Sequence, residues 1–135
     1  MVHCLHLIAM AFVLQQSETF SHPITIREVI DGGRIRQHQF NAIYRRLPAS
    51  RMEELQLAYH RIKSRAARDE EIDAIPTREI AAEILAGWSG ITELDGTEIE
   101  YNENAKRDLL EVALVADVLV STYWEAHEKA RSKNS

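Results

Sequence analysis

Six histidines and one cysteine are the residues of this 135-residue chain best suited to metal or nucleophile chemistry. Their densest grouping is His3, Cys4 and His6. A structural zinc site needs four ligands, usually as two close pairs, and no second Cys/His pair follows this one, so no metal is expected. His22, His38, His60 and His127 fall in separate stretches and read as surface or half-buried polar residues. No serine stands in a G-x-S-x-G or S-x-x-K context, which leaves Cys4 without a partnered alternative nucleophile. Carboxylates gather at Asp69, Glu70 and Glu71, and again between Glu93 and Glu100. The second group lacks the alternating ligand order of a calcium loop and reads as a solvated acidic turn around Asp95-Gly96. Gly32-Gly33 is followed by neither Gly-Lys-Ser/Thr nor a helix start, so it is no phosphate loop. Neither catalysis nor a cofactor is expected.

Two basic clusters remain: Arg45 and Arg46 with Arg51, then Arg61, Lys63, Arg65 and Arg68. The chain carries 16 basic and 21 acidic residues, a formal charge of -5. That balance argues against general nucleic-acid binding and against attraction to anionic membranes. With 45% apolar and 27% charged side chains the composition is that of a soluble single domain. One cysteine permits no intramolecular disulfide and fits a reducing compartment. The apolar stretch at residues 4–14 has no basic residue ahead of it and no small-residue cleavage pattern, and it is shorter than a membrane span. Met10 offers a second start, so residues 1–20 are expected to be an N-terminal arm, 21–131 a single domain and 132–135 a flexible end.

The elements that must position these residues are readable from periodicity. Residues 23–30 begin with apolar/polar alternation, Asp31-Gly32-Gly33 is a turn signal, and Phe40, Ala42 and Tyr44 share one face of a return strand. A β-hairpin closing at Leu47-Pro48 is expected. Ser50 and Glu53 have the spacing of a capping box at the start of a helix with Met52, Leu55, Tyr59 and Ile62 along one stripe. Residues 69–75 read as a polar connection. Thr77 is the expected cap of a second helix carrying Ile80, Ala81, Ile84, Leu85 and Trp88. Residues 91–101 form a compact loop or small hairpin around Asp95-Gly96. Asn102 is the expected cap of a final helical region reaching Arg131, either one helix or two with a bend near Ala113. The fold class is α+β, mainly α-helical, with an N-terminal β-hairpin and three to four helices.

Several of these stretches together resemble the tail assembly chaperones of long-tailed bacteriophages and prophages. They are residues 40–48, the helix opened by Ser50, the run from Leu85 to Tyr101 with its Gly-Trp-Ser-Gly and Asp95-Gly96, and a terminal helix bearing Tyr123-Trp124-Glu125. The resemblance covers about residues 10–130, and the 85–101 run is its most specific part. It departs at Ala113-Leu114-Val115, where a Pro-Gly-like break between two helices is expected.

The resemblance implies a non-enzymatic protein of the host cytoplasm, absent from the mature virion. Such a protein binds the tape measure protein, keeps it soluble and helps recruit tail tube subunits. A holdase needs apolar surface to offer a helical client. Val118, Tyr123 and Trp124 are the candidate partner-binding residues, with Trp88 a lesser one; core packing is the competing role for all four and the favoured one for Trp88 and Val118. Concentration-dependent self-association through a free hairpin edge is also expected. The alternative from another class is a small phage regulatory or DNA-associated protein using the basic helix at 51–68.

Overall fold

The computed structural model describes residues 11, 12, 14, 17–68 and 76–134. Strand β1 (Thr19–Val29) turns through a single 3-10 turn at Asp31–Gly33 into β2 (Ile35–Arg45), and the two pair antiparallel over all eleven residues. Gly32 and Gly33 both carry a φ of +77°, a left-handed conformation that costs glycine nothing. β1 begins at Thr19, four residues ahead of the alternating stretch at 23–30, which brings Phe20 against the core. The expected face of β2 is the buried one: Ala42 and Tyr44 are fully buried and Phe40 nearly so.

Helix α1 (Ala49–Ala67) follows, with Leu55, Tyr59 and Ile62 buried along the expected stripe. Its cap differs from the expected capping box. Pro48 occupies the N-cap in extended geometry, and its carbonyl accepts from Arg51 and Met52 N–H, while no side chain caps the helix. Pro76 does the same for α2 (Thr77–Ile84), displacing Thr77 into the first turn. A proline's fixed φ and missing donor place it naturally just outside a helix. The hydroxyls of Ser50 and Thr77 are thus one or two positions too late to act as caps. The connection at 69–75 lies outside the described residues, as do His3, Cys4 and His6.

The larger correction concerns residues 85–89. They form a third strand, β3 (Leu85–Ser89), antiparallel to β2, and do not continue α2 as a helix to Trp88. The expected hairpin is therefore one part of a three-stranded sheet ordered β1-β2-β3. Tyr44 pairs with Leu85 and Ile43 with Gly87, so Ala86 is an extra residue that bulges. A Cβ on Gly87 would lie 3.3 Å from Ile43 Cδ1, so any larger residue there must displace the end of that side chain.

The small hairpin at 91–99 forms around Asp95-Gly96, with Thr92 bridged to Glu98 and Gly96 at a φ of +89°. Asn102 caps α3 (Glu103–Leu110) as expected, its side chain accepting from Ala105 N–H at 2.8 Å. The C-terminal region is two helices. α4 (Val115–Asn134) is separated from α3 by a turn in which Leu114 adopts a φ of +74°, and it runs through the end expected to be flexible as far as Asn134.

The helices cover one face of the sheet. Tyr44 donates its hydroxyl to Leu119 O on α4 at 2.7 Å, and Tyr123 on α4 donates back to Arg45 O on β2 at 2.9 Å. Their rings meet edge-on at 5.0 Å. Arg51 holds Glu83 with two hydrogen bonds of 2.8 and 2.7 Å, tying α1 to α2 and drawing the Glu83 carboxyl below its usual pKa. Tyr59 and Lys63 both reach Asp117, tying α1 to the first turn of α4.

Burial raises the pKa of Tyr44 and Tyr123, Tyr44 furthest, and Tyr123 is pushed up to about 12. In the unfolded chain both ionise near the ordinary value of about 10. Between these values the unfolded state binds fewer protons, so stability is full below about pH 10 and falls as pH rises towards 12. Urea midpoints measured from pH 9 to 12 should fall across that window. Tyr123→Phe should lessen the fall, leaving the share due to Tyr44, while lowering the neutral plateau by about 1 kcal/mol for the lost hydrogen bond. At Leu114 the left-handed backbone costs a side-chain-bearing residue about 1–2 kcal/mol, more than glycine's extra flexibility forfeits. Leu114→Gly should raise unfolding free energy by about 0.5–1 kcal/mol, and Leu114→Val should lower it.

Candidate docking groove

The 85–101 run folds back on itself. Trp88, opposite Ala42 in the sheet, donates its indole N–H to Ile99 O at 2.8 Å and packs edge-on against Tyr101 with ring centres 5.0 Å apart. The buried Lys106 donates to Leu85 O at 2.9 Å and to the Tyr101 hydroxyl at 3.2 Å, fixing α3 beneath the run. The Asp95 carboxyl accepts from Thr97 N–H, which holds it below the usual carboxylate range. Glu98 accepts from Gly90 N–H at 2.9 Å. These carboxylates serve the local turn.

Between this clasp, the hairpin and the α3–α4 turn lie two open cavities with a common wall. The first, about 510 Å³, is bounded by Ile26 and Phe40 from the hairpin, Ile91 from the clasp, Leu109 at the end of α3, Val112 on the turn after it, and Val115 at the start of α4. The second, about 290 Å³, is bounded by Trp88, Ile91, Ile99, Ala105, Leu109 and Val112. Ile91, Leu109 and Val112 belong to both, so the two form one apolar groove. Its rim carries Glu93 and Asp108 at one end and Gln37, His38 and Gln39 at the other. Val112 is 54% exposed and Leu114 beside it 60%, while Leu94 at the clasp tip is fully exposed. These exposed apolar side chains border the groove and make it a candidate docking surface.

The four residues singled out by sequence are not brought together. Trp88 is a wall of this groove and 8% exposed. Val118 is half-buried and lines a cleft between β1 and α4; Trp124 is half-buried in another between α1 and α4, its indole nitrogen buried without a hydrogen-bond partner among the described residues. Tyr123 corrects the expectation of a surface anchor: it is fully buried, and its hydroxyl is committed to the sheet. The residues missed were Ile91, Leu109, Val112 and Leu114. Their one sequence signal was the expected break at 113–115, which leaves apolar side chains on a turn.

The basic helix keeps Arg61 exposed and Arg65 half-buried, but Arg51 is spent on Glu83 and Lys63 on Asp117. Among the described residues no three His, Cys, Asp or Glu side chains are grouped to hold a metal ion, and no helix is long and apolar enough to cross a membrane.

In comparisons with known proteins, no curated protein and no solved structure matches the chain. The sequence profile of one family, described as YdaY prophage protein, matches residues 40–135. That span takes in β2 from Phe40 onward, all four helices, β3 and the clasp, and by it the chain belongs to the YdaY family of prophage proteins.

Proposed function

We propose that this prophage protein is a tail assembly chaperone, a binding protein without catalysis that holds the tape measure protein soluble in the host cytoplasm and helps recruit tail tube subunits. One observation carries the reading. The 85–101 run, the most specific part of the resemblance to such chaperones, supplies Trp88, Ile91 and Ile99 to the walls of an open apolar groove. An amphipathic helical client lays side chains spaced three and four residues apart into such a groove. Ile91, Leu109 and Val112 offer the contact, and Glu93 and Asp108 at the rim favour a client with lysine or arginine beside its apolar stripe. Apart from Ile26 and residues 37–39, the lining falls inside the span matched to the prophage family.

The test is co-expression with the tape measure protein encoded by the same prophage. The chain should co-purify with it and raise its soluble fraction. Val112→Asp places a charge on an already exposed wall residue, so it should leave the fold intact while weakening capture by about tenfold or more, on the order of 1.4 kcal/mol. Trp124→Ala, remote from the groove, should bind as the natural chain does. Absence of both co-purification and solubilisation would falsify the reading.

A further inference from the structure

The free edge of β1 offers a different kind of site, independent of the groove and largely outside the span matched to the family. Arg46 N–H donates to Glu18 O and Ile30 N–H to Arg34 O, each at 2.8 Å, extending the β1–β2 register by one residue at either end. Hydrogen-bonded pairs alternate along an antiparallel ladder. The even-numbered residues of β1 therefore bond to β2, and Thr19, Ser21, Pro23, Thr25, Arg27 and Val29 turn their backbone groups outward. β1 is the end strand of the sheet, so among the described residues no strand pairs with them, and only the Thr19 and Pro23 carbonyls accept a side-chain hydrogen bond, from Ser17 and His22.

This edge is closed in its middle and open beyond. Pro23 falls on an outward position, so the missing donor is one the sheet does not use. Its carbonyl is taken by His22, whose Nδ1 donates to it at 2.8 Å. Past that block, Thr25, Arg27 and Val29 present three consecutive outward donor and acceptor pairs. Thr25 and Arg27 also line an open cleft of about 690 Å³ whose far wall on α4 begins with Val118, Ser121 and Thr122. α4 runs antiparallel to β1, since His127 packs on Phe20 while Val115 lies by Ile26. The acidic lining residues Glu125 and Glu128 are consequently at the Pro23 end, leaving Arg27 alone at the open end. Arg27 is exposed and makes no hydrogen bond or ion pair among the described residues.

We infer that the 25–29 edge is a strand-addition site for an extended peptide segment of a partner protein carrying an acidic side chain opposite Arg27. Main-chain hydrogen bonds to Thr25, Arg27 and Val29 hold the segment, and Arg27 selects its charge. A second copy of this chain is the poorer fit: pairing along the whole edge is interrupted at Pro23, and the two-fold register that uses all three outward residues, centred on Arg27, sets Arg27 against its own duplicate, an unfavourable like-charge pair.

The experiment is amide hydrogen exchange by NMR on the full chain, with a blocked Val-Thr-Asp-Val-Thr pentapeptide as probe. At a few millimolar peptide the Thr25, Arg27 and Val29 amides should exchange about threefold more slowly, the effect of ligand at twice its dissociation constant. Ile24, Ile26 and Glu28 should be unchanged. Replacing the peptide's aspartate by lysine should abolish the slowing for the natural chain and restore it for Arg27→Glu. No slowing at the three amides, slowing that ignores peptide charge, or protection that rises with protein concentration alone would each overturn the proposal. None of these outcomes bears on capture of the tape measure protein.

Discussion

Two tyrosine hydroxyls hold the molecule together by reaching across the same boundary in opposite directions. Tyr44 leaves the sheet to bond the backbone of α4, and Tyr123 leaves α4 to bond the backbone of β2. A buried hydroxyl without a partner costs on the order of 1–3 kcal/mol. Any sliding or rotation of α4 breaks both bonds at once and separates the edge-on rings. The exchange therefore fixes the helix's register along the strand as well as its distance. Apolar burial at Leu119 and Val120 supplies adhesion, but it is non-directional and cannot by itself select one register.

With α4 so placed, the remaining surfaces follow. Its flank towards β1 leaves the cleft beside the strand edge, and its flank towards α1 leaves the cleft at Trp124. Its first turn, held to α1 through Asp117, fixes where α3 must end. The apolar groove lies at that junction because three separate pieces, the hairpin, the clasp and the α3–α4 turn, converge there and no fourth piece among the described residues covers them. Exposed Val29 and Ile35 at the hairpin tip, Leu94 on the clasp and Val112 and Leu114 on the turn are all extremities of those pieces.

Sequence reasoning succeeded where one local interaction decides the structure. Asn102 as a cap, Asp95-Gly96 as a turn, and the alternation of Phe40, Ala42 and Tyr44 each need only their neighbours along the chain or one buried face. It failed where tertiary pairing overrides a local pattern. Leu85 and Trp88 stand three apart, which is helical spacing. In β3 they face the same way because the Ala86 bulge adds one residue to a period of two. A bulged strand and a helical turn are indistinguishable by spacing, and only the vacancy beside β2 chooses between them. The candidate site was hidden for a related reason. Aromatic residues draw the eye as binding anchors, yet Tyr123 is large enough to be worth more in the core, and the groove is built from ordinary aliphatic side chains whose exposure depends on where helices stop.

Leu114 joins these threads. The resemblance called for a helix break at this point made of proline and glycine, and the chain makes the same break with neither. The last turn of α3 tightens through hydrogen bonds from Glu111 to Asp108 and from Val112 to Leu109, and Leu114 then takes the left-handed conformation from which α4 starts. A glycine would make this turn with less strain but would remove an exposed apolar side chain next to Val112. Strain of this size persists where the surroundings over-determine it. Here they do, because the paired tyrosines fix α4 and Asn102 fixes the start of α3. The break is then a consequence of where the two helices are pinned, and the leucine keeps apolar surface at the mouth of the groove.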